Sequence, residues 1–506
     1  MLRDAHTLED GALLQADVCV VGAGAAGITI ARGLRGAGLT VLLLESGSLE
    51  HHGPAQTLSE GEAYGVHSLS LVGCRMRSFG GTTGHWAGRC RPLDPEDFEA
   101  RPWIPESGWP ISRPTLDPYY ARAQETLELG AFDYDAGTLA NAAGASLLPF
   151  DPARLESLAY QFSPPTRFGN KFRAELEAAA DVEVYLNANL TEVVLGDRGA
   201  VSEIRVATLG GTRFTARADA YVLAMGGIEN PRLLLASNKQ EAAGVGNRHG
   251  HVGRWFMEHP QQRAAAFAVV RRNLPRLYRL SRNPSRAGRH PGEIPVEVDA
   301  ALGLPAAVRA HEGMVGMAAF LPRADTEFAG EALAGEVGAL VTRGDDEVFQ
   351  IDLKMEQRPN PASRVTIGDD LDPLGVPRVR VDWEVLDSDR RDIARTLRLI
   401  AAEFGSTGMG RMWIGSEAAE YPLDRVWGQC HHMGTTRMSD TPADGVVDAD
   451  CRVHGIANLY MAGGSVFRTG GYANPTLTIV ALAHRLAEHL AATVRPAVDI
   501  GLEVGG

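Results

Sequence analysis

The sequence predicts an α/β fold in which a nucleotide-binding domain is interrupted by segments of a second domain. The chain has 506 residues, more than one hydrophobic core usually accommodates. Short apolar strands with helices occur near the N-terminus, return over 171–223, and return again over 435–497. Longer strands, such as 349–357 and 378–383, lie between these segments. We therefore expect the second domain to be α+β, with a large antiparallel sheet.

The first nucleotide-binding segment reads as a βαβ unit. Residues 16–21 and 41–44 are nearly continuous apolar runs, as buried parallel strands should be. Between them, Gly22, Gly24 and Gly27 fit the GxGxxG spacing directly after a strand and at the start of a helix. This setting favours a dinucleotide site over a glycine-rich turn that binds nothing.

The three glycines and one acidic residue each have a physical role. Gly22 permits the tight turn, Gly24 lets the backbone approach a pyrophosphate, and Gly27 lets helix and strand pack closely. The helix N-terminus offers free N–H groups to the phosphates. Glu45 follows Gly22 by 23 residues, near the spacing of a ribose-binding carboxylate. The unit therefore predicts Gly22, Gly24, Gly27 and Glu45 as cofactor contacts.

Two features favour FAD over NAD as the dinucleotide. The motif lies at the extreme N-terminus, and a second glycine loop follows at 80–84. A domain split by insertions also suits a long, extended cofactor. The sequence thus predicts a Rossmann-type domain that binds FAD.

Composition excludes several other classes of protein. The net charge of −14 argues against a nucleic-acid partner, which would require a basic face. No segment has the apolar length of a membrane span, and the N-terminus lacks the pattern of a signal peptide. Five scattered cysteines without a CxxC pair indicate a reduced compartment and no disulfide or zinc signature. We expect a cytoplasmic enzyme.

Four blocks then match one family in order along the chain. They are the N-terminal turn, the loop 80–88, the segment 226–234, and a C-terminal block from Cys430 to Thr478. On these motifs the chain resembles the glucose-methanol-choline (GMC) oxidoreductase family over nearly its whole length. Within that family it resembles a bacterial branch with pyranose oxidase and glycoside 3-oxidase. The resemblance implies an FAD-dependent oxidase or dehydrogenase that acts on CH–OH groups.

The resemblance also assigns the catalytic pair. In the family, the catalytic histidine lies seven residues before the methionine that ends a Gly-Thr motif, which gives His431 when counted from Met438. The second position falls on Asn474. Neutral imidazole can accept the hydroxyl proton while hydride leaves for flavin N5, and an amide can donate to the same oxygen. We expect His432 to be structural, because neighbouring residues usually face opposite ways.

Further cofactor contacts are implied by the same motifs. They are Gly81, Thr82, His85, Leu190, Ala224, Gly463, Gly464, Asn474 and Thr476. In some relatives similar to pyranose oxidase, the histidine of the motif at His85 is bonded covalently to the flavin. The sequence leaves open whether FAD is covalently bound here.

The strand 349–357 is the candidate for substrate contacts. Its polar face carries Gln350, Asp352 and Lys354, which could line a cavity above the flavin or form a solvated edge. A separate set of histidines, His249, His251 and His259, has no carboxylate or cysteine placed to complete a metal site. We therefore expect no metal.

The predicted domains and function follow from these assignments. We expect 1–100, 165–262 and 426–506 to form the FAD-binding domain, and 101–164 and 263–425 the substrate-binding domain. The predicted reaction is oxidation of a secondary alcohol of a sugar or glycoside to a ketone, with O2 or another acceptor reoxidising the flavin. The alternatives are a non-sugar alcohol, aryl or aliphatic, a redox-neutral lyase with FAD as scaffold, and a non-catalytic flavoprotein subunit. The sequence leaves open which sugar is oxidised, which acceptor reoxidises the flavin and whether the chain forms a homo-oligomer.

Overall fold

The computed structural model describes residues 1–66, 70–196, 199–270, 274–278, 297–322, 347–415 and 426–495. The strands are β1 (Leu2–Asp4), β2 (Leu13–Val21), β3 (Val41–Leu44), β4 (Gly61–Gly65), β5 (Arg89–Cys90), β6 (Glu156–Phe162), β7 (Val182–Leu186), β8 (Asn189–Leu195), β9 (Val201–Ala207), β10 (Arg213–Leu223), β11 (Pro260–Val270), β12 (Glu297–Gly303), β13 (Met317–Phe320), β14 (Glu347–Met355), β15 (Arg364–Leu371), β16 (Pro377–Trp383), β17 (Gly410–Ile414), β18 (Val426–Gly428) and β19 (Leu459–Met461).

The helices are α1 (Ala25–Gly33), α2 (Gly53–Thr57), α3 (Arg113–Thr126), α4 (Ala136–Ala142), α5 (Phe168–Ala178), α6 (Gly226–Ala236), α7 (Ala306–Glu312), α8 (Asp387–Ser406) and α9 (Thr476–Thr493). Short 3-10 turns occupy Ala5–Thr7, Gly81–Gly84, Pro95–Asp97, Arg276–Tyr278 and Gly464–Val466. Within the described ranges, no helix is long and apolar enough to cross a membrane.

The first large sheet is parallel at its centre. Its order is β1-β7-β3-β2-β10-β9-β8, and β19 pairs with β10. All pairs except β8–β9 and β9–β10 are parallel. The apolar run Val41–Leu44 is buried throughout, as a strand covered on both faces must be. The predicted α/β fold with a βαβ unit at its N-terminus is confirmed.

Helix α9, near the C-terminus, packs beside helices from the N-terminal part of the chain. It packs against α1 and α3. A Cβ on Gly33 of α1 would lie 2.7 Å from the Cβ of Ala487, so the two helices approach closely at this point. This packing brings the first turn of α9 next to the turn that precedes α1.

The second large sheet is antiparallel, as the longer strands predicted. Its order is β17-β11-β14-β13-β12-β6-β5, and β18 pairs with β11. Strand β14 lies between β11 and β13, and its Gln350, Asp352 and Lys354 are all buried. The alternative of a solvated edge is wrong, because this strand has neighbours on both sides and both of its faces are covered.

A small third sheet links the two parts of the chain. Strand β16 pairs antiparallel with β15 and parallel with β4, and Val379 lies opposite Gly61. Strand β4 belongs to the segment 1–100, whereas β15 and β16 belong to 263–425. The division into two domains at the boundaries given above stays a prediction.

Candidate active site

The first wall of the site is the glycine turn between β2 and α1. Gly22 has a φ of +102°, and a Cβ there would lie 2.7 Å from the carbonyl oxygen of Ala224. A Cβ on Gly27 would lie 1.8 Å from the carbonyl oxygen of Gly22, so only glycine lets the helix pack here. A Cβ on Gly24 would meet no described atom within 4 Å, because this residue faces open space. The turn therefore leaves backbone open to a ligand at the N-terminus of α1.

Glu45 at the end of β3 is tied to that turn. Its carboxylate accepts hydrogen bonds from the backbone N–H of Ala23 at 2.9 Å and of Gly47 at 2.8 Å. Burial raises the pKa of Glu45, and these hydrogen bonds oppose the rise. Oε1 also accepts from the Ser46 hydroxyl at 3.2 Å, whereas Oε2 accepts only from Ala23 among the described residues, so Oε2 can also accept from a ribose hydroxyl.

The second glycine loop lies directly on the first. The backbone N–H of Gly80 donates to the carbonyl of Ala23 at 2.8 Å. A Cβ on Gly81 would lie 2.9 Å from the Cα of Gly24. The two loops thus form a continuous wall of backbone atoms.

A cavity of about 440 Å³ runs along this wall. Its lining includes the predicted cofactor contacts Gly22, Gly24, Glu45, Gly81, Thr82, His85, Leu190, Ala224, Gly463, Gly464, Asn474 and Thr476. Gly27 does not line the cavity, because it lies beneath the turn where helix and strand meet. A backbone wall without side chains, at a helix N-terminus and with a carboxylate beside it, fits an extended dinucleotide.

The catalytic end of the cavity is the segment 429–433. The carboxylate of buried Glu258 accepts from the backbone N–H of Gln429 at 2.8 Å and of His431 at 2.5 Å. Burial raises the pKa of Glu258 to about 8, and the backbone hydrogen bonds oppose the rise. Met257 and Met433 form a reciprocal pair of backbone hydrogen bonds. These backbone hydrogen bonds help to hold the segment that carries His431.

His431 and Asn474 face each other across the cavity. Asn474 Nδ2 lies 3.5 Å from His431 Nε2, and both residues line the cavity. Lys354 Nζ donates to Asn474 Oδ1 at 2.5 Å. With Lys354 as donor, the amide has its oxygen toward β14 and its NH2 group toward His431. Burial lowers the pKa of Lys354 well below its ordinary value.

His259, which sequence reasoning left without a role, sets the tautomer of His431. Its Nε2 lies 2.8 Å from the carbonyl oxygen of Gly471, which only accepts, so this nitrogen carries a proton. Burial first, and then the charge of Lys354, lower the pKa of His259 to about 3, so its Nδ1 has a lone pair. His431 Nδ1 lies 2.8 Å from His259 Nδ1 and must donate its proton to the lone pair there.

The proton on Nδ1 of His431 determines the state of its other ring nitrogen, Nε2. Burial, followed by His259 and Lys354, lowers the pKa of His431 well below its ordinary value, so the ring is neutral. With the proton on Nδ1, the lone pair is on Nε2, which points to the Asn474 amide. The ring is thus held as a proton acceptor.

His432 lies in a different environment. Its ring stacks on Phe256 with centroids 5.8 Å apart, and its Nε2 lies 3.5 Å from a Glu258 oxygen. Burial lowers its pKa to about 3. The structure brings His431, not His432, to Asn474, while the catalytic roles of the pair stay a prediction.

The other candidate residues are dispersed. Gln350 and Asp352 are buried and do not line the cavity, and Lys354 contacts Asn474; their contact with substrate stays a prediction. His251 Nε2 bonds to the carbonyl oxygen of Ala443 at 2.6 Å, whereas His259 contacts His431 and Gly471. No group of three or more metal-ligating side chains occurs in the part of the chain that the structure describes.

The expectation for the cysteines is wrong at two positions. Cys74 and Cys430 form a disulfide, although 356 residues separate them in sequence. Spacing along the chain carries no sign of such a pair, because only the fold brings the two segments together. Cys19, Cys90 and Cys451 are free and buried.

Comparison with known proteins points to one family. Residues 359–483 match the family model described as GMC oxidoreductase. Over this C-terminal stretch the chain is similar to the GMC oxidoreductases. It is an FAD-dependent oxidoreductase that acts on CH–OH groups.

Three curated relatives resemble this chain over most of its length. Paromamine 6′-oxidase of Streptomyces fradiae is 27% identical, over 94% of this chain and 91% of its own. 2-Methyl-1,2-propanediol dehydrogenase of Mycolicibacterium austroafricanum is 24% identical, over 96% and 97%. C-glycoside 3-oxidase of Microbacterium trichothecenolyticum is 25% identical, over 81% and 75%.

A solved structure supports the fold of this chain. Formate oxidase of Aspergillus oryzae, an FAD protein, superposes with a TM-score of 0.60 at 18% identity. The superposition covers 96% of this chain and 99% of the formate oxidase. At this identity the likeness establishes the fold alone.

Proposed function

We propose that this enzyme oxidises a secondary alcohol of a sugar or glycoside to a ketone, with His431 as general base. The observation that carries the proposal is the hydrogen-bond chain from Gly471 through His259 to His431 Nδ1. That chain leaves a lone pair on His431 Nε2, opposite the Asn474 amide. A base and a donor directed at one point are what oxidation of an alcohol requires.

The separation of the two groups suits one hydroxyl oxygen. An oxygen about 2.8 Å from both His431 Nε2 and Asn474 Nδ2 forms a compact triangle with their 3.5 Å separation. Its proton passes to Nε2, and Asn474 stabilises the negative charge that develops on the oxygen. The positive charge gained by His431 is stabilised by its Nδ1–H bond to His259. FAD, when bound, accepts the hydride.

The sugar class is supported by the relatives. Paromamine 6′-oxidase and C-glycoside 3-oxidase act on sugar-like molecules, and each covers most of this chain. Oxidation of a non-sugar alcohol is the second candidate, since 2-methyl-1,2-propanediol dehydrogenase covers 96% of this chain. The names of these relatives do not determine whether O2 or another acceptor reoxidises the flavin of this enzyme.

The test is an anaerobic panel of sugars, glycosides, diols and aryl alcohols, scored by loss of oxidised-flavin absorbance. We expect a sugar or glycoside to bleach the flavin and to yield a ketone. His431→Ala should not be bleached, and His432→Ala serves as the matched control that should be. Bleaching by non-sugar alcohols alone would favour the second candidate. Conversion of a substrate with no bleaching at any stage would identify a redox-neutral lyase.

A further inference from the structure

We propose that Cys74 and Cys430 form a reversible redox modification site on the wall of the flavin cavity. A dithiol reductant opens the disulfide, and the oxidised, disulfide form of such a reagent closes it by the reverse exchange, in which that reagent is reduced to the dithiol. The site concerns the chain's own sulfurs, so it lies beyond the oxidation of an alcohol. Its expected effect on rate rests on the proposed role of His431, whereas its chemistry does not.

The position of the bond is the first support. The Cα atoms are 5.0 Å apart, within the range of protein disulfides. Both cysteines line the cavity that also contains His431 and Asn474. A small reagent that enters this cavity therefore reaches the sulfurs and the catalytic pair by one route.

The remaining cysteines do not line the cavity, whereas Cys74, although only 7% exposed, does. Cys19 and Cys90 are fully buried, and Cys451 is 2% exposed. Burial raises the pKa of the Cys451 thiol to about 12 and raises those of Cys19 and Cys90 further. Because the thiolate is the reactive species, these three are inert in the folded protein. Cys74 and Cys430, which line the cavity, are therefore the cysteines that a small reagent can reach.

On one side, the disulfide holds the catalytic segment. Cys430 directly precedes His431 and has a φ of +62°, a left-handed conformation that side chains rarely adopt. The backbone groups on both sides of it, Gln429 N–H and His431 N–H, donate to Glu258. Cys430 is thus held in this conformation by the disulfide together with one carboxylate.

On the other side, the disulfide ends on a loop with anchors of its own. The Gln56 amide donates to the carbonyl of Arg75 at 2.7 Å, and Arg75 forms a buried ion pair with Glu229. The backbone N–H of Cys74 donates to Ser70 at 3.0 Å. Cys74 therefore stays in place when the bond opens, and Cys430 is the residue that gains freedom. His431 moves with it.

The chemistry balances as ordinary thiol–disulfide exchange. A thiolate of the dithiol attacks one sulfur, and the S–S bond breaks as a mixed disulfide forms. The second thiol of the reagent then displaces that cysteine and closes its own disulfide. The chain gains two electrons and two protons as two thiols, and the dithiol loses the same.

The experiment labels thiols in the folded holoenzyme with and without dithiothreitol, followed by peptide mass analysis. We expect no labelling without the reductant and labelling of Cys74 and Cys430 alone after it. The other three cysteines should react only after denaturation. Labelling of Cys74 and Cys430 in untreated protein under air would overturn the proposal, as would a pair that reductant leaves unlabelled. This readout needs no substrate, so it stands apart from the proposed function.

The effect on rate is measured on the same samples after the reagent is removed. Reduction should slow flavin reduction about tenfold, with FAD absorbance retained, and reoxidation should restore the rate. Cys74→Ser should be slow and insensitive to dithiothreitol. Cys90→Ala, a matched change at a buried free cysteine, should keep both the rate and its response. An unchanged rate in reduced wild-type protein would show that the bond does not hold His431.

Discussion

The two ends of the cavity are built from different kinds of groups. At the cofactor end, backbone atoms form the wall, because Gly22 and Gly24 expose the main chain at the start of α1. At the catalytic end, side chains from distant segments converge, with His259, His431 and Asn474 in one hydrogen-bonded cluster. One end is a local turn, and the other is a product of tertiary packing.

This difference separates binding from chemistry. A backbone wall cannot be removed by truncating one side chain, so changes near it should alter FAD affinity and leave the hydride step intact. The cluster of His259, His431 and Asn474 is not part of the backbone wall at the cofactor end. Substitutions in this cluster should therefore slow the reaction and leave FAD bound. Each prediction below tests that separation at one residue.

The largest effect should come from His431→Ala. The base disappears, so the rate of anaerobic flavin reduction should fall by roughly two to four orders of magnitude. FAD content, measured by the ratio of flavin to protein absorbance, should remain that of the wild type.

His432→Ala is the matched control for that change. This ring stacks on Phe256 and lies beside Glu258, so its loss should affect packing more than the reaction. If His432→Ala proved the slower variant while His431→Ala stayed active, the assignment of the base would have to move by one residue.

Asn474→Ala should have the next largest effect. One hydrogen bond to the developing alkoxide is lost, which should slow flavin reduction about a hundredfold. Stopped-flow absorbance with a saturating substrate measures this step directly. A wild-type rate in the variant would exclude Asn474 from the mechanism.

Lys354→Met should have a smaller effect and a distinct pH signature. The Asn474 amide loses the donor that orients it, so the rate should fall about tenfold. The charge of Lys354 also contributes to the lowered pKa of His431. Its removal should raise that pKa.

The sign of the pH shift follows from the role of His431 as a base. The base is active when deprotonated, so the wild-type rate should fall only at pH values below the lowered pKa. In Lys354→Met this acid limb should move to higher pH, as seen in a pH profile of flavin reduction. An acid limb at the wild-type position would mean that Lys354 carries no charge in the enzyme.

The same contrast explains how much could be predicted from the sequence. At the cofactor end, the first turn was predictable from the sequence, because Gly22, Gly24 and Gly27 act through a geometry that local spacing specifies. The contacts farther along the chain, from Gly81 to Thr476, came from motif resemblance. The register of His431 came from motif resemblance rather than from spacing on one element. For His259 the sequence suggests only a metal ligand, because nothing in its neighbourhood indicates the contact with His431, which lies 172 residues away in sequence.

The contacts of Lys354, Cys74 and Cys430 were missed for the same reason, because their partners are distant in sequence. Lys354 was predicted on the correct polar face of a strand, but the alternation of the strand does not specify that its ammonium reaches Asn474. Cys74 and Cys430 were missed because 356 residues separate them. Side chains that meet only through tertiary packing leave no periodic pattern in the sequence.

Glu45→Ala tests the cofactor end. The N–H groups of Ala23 and Gly47 lose a charged acceptor, and FAD loses the predicted ribose contact. FAD dissociation should increase by on the order of tenfold to a hundredfold. With FAD in excess, the hydride step should match the wild type, and Glu50→Ala, an exposed neighbour, should change neither quantity. A slowed hydride step at full occupancy would break the separation of the two ends.

The smallest effect should come from His85, which lines the cavity on the second glycine loop. Burial, followed by the charge of Arg167, lowers its pKa. We expect noncovalent FAD, released into the supernatant when the protein is denatured in acid, and an intact chain mass without added FAD. His85→Ala should then lower FAD occupancy slightly and leave the hydride step unchanged. A yellow protein pellet, with one FAD added to the chain mass, would instead show a histidyl linkage. His85 would then belong to the chemistry as well as to binding, because a covalent bond at the flavin ring changes how readily it accepts hydride.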